Sequence, residues 1–329
     1  MTKQAVRPLI VGLGEAMVRL STPGRVPLQV ATQLELDVAG SELNLLVAAS
    51  ALGARGRWLT RLPANALGEL IRRHALSFGL EVESNDEIGG RVGLYFLELG
   101  APPRPSTVLY DRKDSASSHL RADEFDWRHV LDGAAAAHVT GITCALGAGP
   151  MAATLEFLGT ARDLGVMTSF DVNYRSQLWG VRQARKSYLR ALPLVDTLFA
   201  SPGDLAMLCG QDGDTETQAK EVIMEFGIST LVLRERQEIS ASEIAVNVQV
   251  VGDNETDVTA SGYVVDEIGA GDAAAGAFLA SMLLGDSGAV SAERCARAYA
   301  RMLTIPGDTW SGTLHDLTDG YVSNRRVER

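Results

Sequence analysis

Short apolar runs alternate with stretches of helical period along most of the chain. Residues 9–13 (LIVGL) are apolar throughout, the mark of a strand buried on both faces. Comparable runs follow at 58–62, 137–141, 166–171, 197–200 and 230–233. Between them, residues 43–52, 151–164, 182–192 and 215–226 read as helices. The repeated strand–helix order predicts an α/β fold: a mostly parallel sheet with helices on both faces. Ligands of such sheets sit beyond the C-terminal ends of the strands. Polar residues cluster there: Asp171, Asn173 and Arg175 after one strand, Ser201 and Asp204 after the next.

Residues 16–38 and 90–112 break this alternation. Both are turn-rich and read as small hairpins; the second holds a Pro102-Pro103 turn between two short strands. Two β insertions of this kind pair into a small sheet that covers a pocket or forms a subunit contact. The division expected is an α/β core of residues 1–15, 39–89 and 113–329, and a discontinuous β lid of residues 16–38 and 90–112. Residues 323–329 are expected to fray.

The net charge of −11 over 329 residues argues against nucleic acid or an anionic membrane as the main partner. Cys144, Cys209 and Cys295 are scattered, with no metal-ligand spacing, which points to a reducing cytoplasm and to no protein-built metal site. The apolar run after residue 272 is too short to span a bilayer. His74, His119, His129, His138 and His315 show neither ligand nor Ser/His/Asp spacing and read as structural.

The chemistry concentrates at residues 265–284. Gly269, Ala270, Gly271 and Asp272 stand directly before an apolar helical run. A glycine turn opening a helix leaves free N–H groups and the positive end of the helix dipole at one spot, a site for developing phosphate charge. Asp272 beside it is placed to take a proton from an attacking hydroxyl. A second glycine, Gly40, precedes a helix on which Ser41 and Asn44 share one face, a polar strip suited to hydroxyl recognition. Tyr95, Tyr110 and Arg112 lie in the expected lid, and Arg175 follows a core strand. Two arginines converging on one pocket imply an anionic substrate.

These residues carry a resemblance. The segment Asp266 to Asp272 (DEIGAGD), with Gly276 following, resembles the C-terminal D-x-x-G-A-G-D signature of the ribokinase-like (PfkB) carbohydrate kinases. Gly12-x-Gly-Glu15 and the stretch from Gly40 to Asn44 resemble their N-terminal pattern. Within that family, residues 109–118 (LYDRKDSASS), 138–143 (HVTGIT) and 169–179 (SFDVNYRSQLW) are most similar to 2-keto-3-deoxygluconate kinases. The resemblance implies a three-layer α/β/α sandwich with a β-sheet lid, and transfer of the γ-phosphate of ATP, with Mg²⁺, to the terminal hydroxyl of a sugar acid. It makes Asp272 the base and Gly269, Ala270 and Gly271 the anion hole. It puts Gly40, Ser41, Glu42, Asn44, Tyr95, Tyr110, Arg112, Arg175 and Asp308 around the sugar, and Asn173, Arg175, Ser201, Asp204, Arg234, Gly269 and Gly271 near the nucleotide. By analogy it also implies a dimer paired through the lid.

Two segments depart from the family pattern. The usual N-x-x-E appears as Ser201-Pro-Gly-Asp204, and the nucleotide loop K-x-G-x-x-G as residues 234–240 (RERQEIS), without glycine. Three other readings therefore stand beside the gluconate kinase: a 2-keto-3-deoxygalactonate kinase, a kinase of fructose or another sugar, and a sugar-acid-binding protein without catalysis.

Overall fold

The computed structural model describes residues 7–101, 103–211, 213–252 and 256–318; the fray expected at 323–329 and Pro102 of the expected turn lie outside them. Thirteen strands are present among the described residues: β1 (Leu9–Leu13), β2 (Met17–Ser21), β3 (Glu35–Ala39), β4 (Arg55–Pro63), β5 (Glu81–Glu87), β6 (Gly93–Glu98), β7 (Thr107–Asp111), β8 (Ala134–Thr140), β9 (Met167–Asp171), β10 (Thr197–Ala200), β11 (Thr230–Ser240), β12 (Glu243–Gly252) and β13 (Thr256–Tyr263).

Nine of them form one sheet in the order β13-β12-β11-β10-β9-β8-β1-β4-β5. From β11 to β5 every neighbouring pair is parallel, and β12 and β13 add an antiparallel edge. Strand β1 runs between β4 and β8 with all five residues buried, which is why it lacks polar alternation. Its side chains divide between two layers. Ile10 joins an apolar cluster with the helices Ser41–Ala51, Ala270–Leu283 and Gly288–Met302. Leu9, Val11 and Leu13 join the opposite one, with the helices Ala148–Asp163, Val181–Ala191, Pro202–Cys209 and Thr215–Phe226. The result is the expected three-layer α/β/α sandwich.

Two helices of the first layer approach backbone to backbone. A Cβ on Gly276 would stand 2.4 Å from the carbonyl oxygen of Leu45, so the helices Ser41–Ala51 and Ala270–Leu283 meet without a side chain between them at that point. Functional residues stand at the N-terminal ends of both.

The interruptions at 16–38 and 90–112 pair with each other in a separate four-stranded sheet, order β3-β2-β6-β7. The central pair is parallel, from Met17 opposite Gly93 to Ser21 opposite Leu97, and the flanking pairs are antiparallel. The first insertion is not a tight hairpin. Residues 22–34, including a 3₁₀ turn at Leu28–Val30, separate its strands.

One expectation is overturned. Residues 234–240 are not a loop but the second half of β11, paired with β12 from Arg234 opposite Val248 to Ser240 opposite Glu243. The segment holds no glycine or proline to break a strand. The apolar alternation of β12 (Ile244, Val246, Val248 and Val250, all buried) anchors the hairpin on the core.

Candidate functional site

A cavity of about 510 Å³ opens where β1, β8, β9 and β10 end, under the small sheet. Asp272 lies on its wall, in the first turn of the helix Ala270–Leu283. Gly269 caps that helix at φ +82°, and a Cβ there would fall 2.2 Å from the carbonyl oxygen of Asp308. Only glycine meets both conditions. The first helical hydrogen bond runs from the N–H of Ala273 to the carbonyl of Gly269, so the N–H groups of Ala270, Gly271 and Asp272 precede the ladder. Ala270 contributes backbone only, its side chain being buried away from the cavity.

The carboxylate of Asp272 is held by the polar strip expected on the other helix. Ser41 Oγ donates to Oδ1 at 2.6 Å, and Asn44 Nδ2 donates to Oδ2 at 2.9 Å. Asn173 Nδ2 donates in turn to Ser41 Oγ at 3.0 Å. Asn173 adopts φ +40°, a conformation asparagine tolerates better than most residues. Burial pushes the Asp272 carboxyl up to about 6; the Ser41 and Asn44 hydrogen bonds oppose the shift. It is thus ionised near neutral pH and close enough to it to accept a proton.

Gly40, Tyr95, Tyr110, Arg112 and Asp308 all line the cavity. A Cβ at Gly40 would lie 2.5 Å from the Glu15 carbonyl oxygen, so the residue permits close approach of the two chain segments. Tyr95 and Tyr110 pair ring to ring, centroids 5.8 Å apart, and the Arg112 guanidinium stands 5.9 Å from the Tyr110 centroid. Arg112 is ion-paired with the buried Glu15, whose other oxygen accepts from Ser115 Oγ. Two polar atoms here are buried without a partner: Asn44 Oδ1, an acceptor, and Arg112 Nε, a donor. Such atoms are normally paired, so each calls for a group that a ligand can bring.

The opposite wall is different. Ser201 and Asp204 form a capping box at the start of the helix Pro202–Cys209: Ser201 Oγ accepts from the Asp204 N–H, and Asp204 Oδ2 accepts from the Ser201 N–H and hydroxyl at 2.9 and 2.7 Å. Arg234 donates to the Gly271 carbonyl at 2.6 Å and to Asp171 Oδ2 at 2.5 Å, and stands over the Phe199 ring at 5.3 Å from its centroid. All three line the cavity, and the bonds named tie each of them to the protein. Of the arginines on the cavity wall, Arg112, Arg234 and Arg236 are ion-paired, whereas Arg175 forms no ion pair among the described residues.

Glu42 departs from its expected place in the sugar site. It does not line the cavity but lies buried beneath it, where Oε1 accepts from the N–H and hydroxyl of Thr140 and the hydroxyl of Thr143. Burial pushes its carboxyl up to about 7. It faces inward because its neighbours Ser41 and Asn44 take the cavity side of the same helical turn. His138 is likewise internal, bonded to Ser169 at 2.9 Å and pushed down to about 3 by burial.

Two site residues carried no assignment from the sequence. Glu15, seen only as part of a pattern, holds Arg112. Arg19 forms ion pairs with Asp266 and Asp308. A signal for Arg19 existed: a cation in the short strand MVRLS shares the inward face with Met17 and Ser21 and demands buried counter-charges. Among the described residues, no three His, Cys, Asp or Glu residues cluster as a metal site, and no helix is long and apolar enough to cross a membrane.

Comparison with known proteins agrees with this geometry. The model of the pfkB family carbohydrate kinases matches residues 7–304. The 2-dehydro-3-deoxygalactonokinase of Haloferax volcanii is 36% identical over 299 residues, 91% of this chain and 92% of its own. The 2-dehydro-3-deoxygluconokinase of Thermoproteus tenax is 32% identical over 305 residues, 91% and 89% of the two chains. The crystal structure of 2-dehydro-3-deoxygluconokinase from Thermotoga maritima superposes with a TM-score of 0.89 at 32% identity, covering 94% of this chain and 97% of that one. The chain belongs to the pfkB family of carbohydrate kinases and is a phosphotransferase acting on a sugar hydroxyl.

Proposed function

We propose that the protein phosphorylates 2-keto-3-deoxygluconate on its terminal hydroxyl, with ATP and Mg²⁺, giving 2-keto-3-deoxy-6-phosphogluconate. The observation that carries the acid over a neutral sugar is Arg175, a cavity-wall cation with no ion pair among the described residues. The charge of Arg112 is offset by Glu15, so Arg112 serves to orient while Arg175 answers the carboxylate. Asn44 Oδ1 accepts a hydrogen bond from a sugar hydroxyl, and Arg112 Nε donates one to a sugar oxygen. Asp272, ionised at neutral pH, receives the proton of the attacking hydroxyl while Ser41 and Asn44 keep its oxygens in place.

The residues present fit a nucleotide triphosphate. The N–H groups of Ala270, Gly271 and Asp272 face a cradle that no side chain of Gly269 or Gly271 obstructs. Mg²⁺, when bound, neutralises charge on the phosphoryl oxygens. The two stretches 16–38 and 90–112 act as a lid over the acceptor. A homodimer through this sheet is favoured by Leu36 and Leu109, exposed on its edge strands β3 and β7; sedimentation at several concentrations tests it.

The 36% identity to a 2-dehydro-3-deoxygalactonokinase favours a second reading, the C4 epimer as substrate. The test is ADP release with 2-keto-3-deoxygluconate, 2-keto-3-deoxygalactonate, fructose and ribose. The acid reading predicts the largest kcat/KM on one of the two keto-deoxy acids. A faster reaction with fructose or ribose overturns it, and the ratio between the two acids decides the epimer.

A further inference from the structure

Arg19 reaches from the small sheet into the core. It is buried, Nη1 bonding Asp308 Oδ1 and Nη2 donating to Asp266 Oδ2 at 2.5 Å. The second oxygen of Asp308 accepts from the Tyr95 hydroxyl at 2.5 Å. The Asp266 carboxylate also accepts from the N–H groups of Ile268 at 3.1 Å and Gly307 at 3.3 Å. One guanidinium thus joins the two segments around Gly269: the one leading into the turn, and the one on whose Asp308 carbonyl the Gly269 α-carbon rests.

Two buried carboxylates sharing one environment repel, and neither is stable there without a cation. The planar fork of arginine reaches both at once, whereas a lysine ammonium is a point charge. Tyr95 and Asp308 line the cavity. With its proton committed to Asp308, the Tyr95 oxygen is left as an acceptor, and so is the Asp308 carboxylate. We propose that Arg19 is a positioning residue for the sugar acceptor: it fixes Asp308 and Tyr95 as a pair of hydrogen-bond acceptors for sugar hydroxyls and, through Asp266, ties that pair to the turn that carries Asp272. The inference rests on the sugar-kinase reading only in taking this cavity as the acceptor's place.

The pair is also sensitive to pH. Burial pushes Asp308 up to about 7, and Arg19 opposes the shift. The charged and titratable groups around it are Arg19 from β2, Tyr95 from β6 and Asp266 from the segment after β13. Asp37 on β3 and His74 on the helix Ala66–Ser77 face its neighbours Gly307 and Thr309. Without Arg19 the carboxyl moves higher still, so acceptor binding requires a more alkaline solution.

The experiment compares the full-length wild type with Arg19→Lys, Arg19→Met, Asp308→Asn and the double variant Arg19→Met/Asp308→Asn. Melting temperatures are recorded, and kcat, KM for acceptor and KM for ATP are measured across pH. Wild-type turnover of the two keto-deoxy acids judges the substrate reading on its own; the variants are then compared on whichever sugar the wild type uses best. Arg19→Lys should raise the acceptor KM about tenfold, the scale of one lost charge-assisted hydrogen bond. It should change the KM for ATP less than about twofold and move the acid limb of kcat/KM to higher pH. In the Asp308→Asn background, Arg19→Met should raise the acceptor KM by clearly less than it does alone, the remainder reporting its tie to Asp266, because coupled residues do not add. A folded Arg19→Lys enzyme with wild-type acceptor KM and pH profile overturns the proposal. So does an equal loss on acceptor and ATP, or full additivity in the double variant. If Arg19→Met fails to fold, the lysine variant alone decides.

Discussion

The two walls of the cavity use similar residue types to opposite ends. On the acceptor wall, polar groups are held in place yet left incomplete: Asn44 Oδ1 and Arg112 Nε lack partners, and Arg175 lacks an ion pair among the described residues. On the facing wall, Ser201 and Asp204 Oδ2 bond each other, and both terminal nitrogens of Arg234 are bonded, to Gly271 and to Asp171. On the proposed function, specificity would therefore belong to the first wall, where unmade hydrogen bonds reject a molecule that cannot complete them. The second wall shapes backbone, and on the proposed function phosphate would be met there by the peptide N–H groups of the Gly269 turn.

Substitutions can break that contrast or sharpen it. The largest effect is expected at the junction of the walls: Asp272→Asn should lower kcat by about two orders of magnitude or more, the scale of a lost general base. Its affinity for acceptor and nucleotide, measured by calorimetry, should change little; unchanged turnover would remove Asp272 from the base role. Next, Arg175→Ala should raise the KM for a keto-deoxy acid by about thirtyfold, the scale of a lost charge-assisted hydrogen bond to its carboxylate, and should affect fructose far less. Equal loss on both sugars would take the carboxylate away from Arg175. Because protonated Asp272 cannot accept a proton, kcat should rise with pH through a midpoint near 6 and, one unit below that midpoint, stand about tenfold under its plateau. Ser41→Ala removes a hydrogen bond that favours the charged form, so its midpoint should lie higher; a pH–rate profile reads both. The smallest effect belongs to the second wall. Ser201→Ala should cost about 1 kcal/mol of stability as a lost helix cap and leave the KM for ATP within about twofold. A large loss of nucleotide affinity would end the contrast between the walls.

The core was legible because its parallel strands are apolar on both faces, and the glycine turn because no other residue type serves there. What escaped the sequence depends on pairing across long separations. Nothing local marks Arg234 as bonded to Asp171 and to the Gly271 carbonyl instead of free for phosphate. Nor does the chain reveal that residues 234–240 extend a strand: exposed and highly charged, they look like a loop until the apolar alternation of β12 is placed beside them. Glu42, which the resemblance puts around the sugar, adjoins Ser41 in sequence but points to the other side of the helix.

The contact between Gly276 and the Leu45 carbonyl has a consequence for how the enzyme can move. Asp272 rides on one of these helices, and Ser41 and Asn44 ride on the other. With bare backbone at the crossing, the distance between the two helices is set by peptide dimensions, as by a ruler, and the side-chain hydrogen bonds of Ser41 and Asn44 to Asp272 are made across that fixed distance. The small sheet is joined to the core through other contacts. It is pinned to the same frame by the ion pairs of Arg19 with Asp266 and Asp308 and of Arg112 with Glu15, so a mutation that loosens the sheet also disturbs the segments around the Gly269 turn.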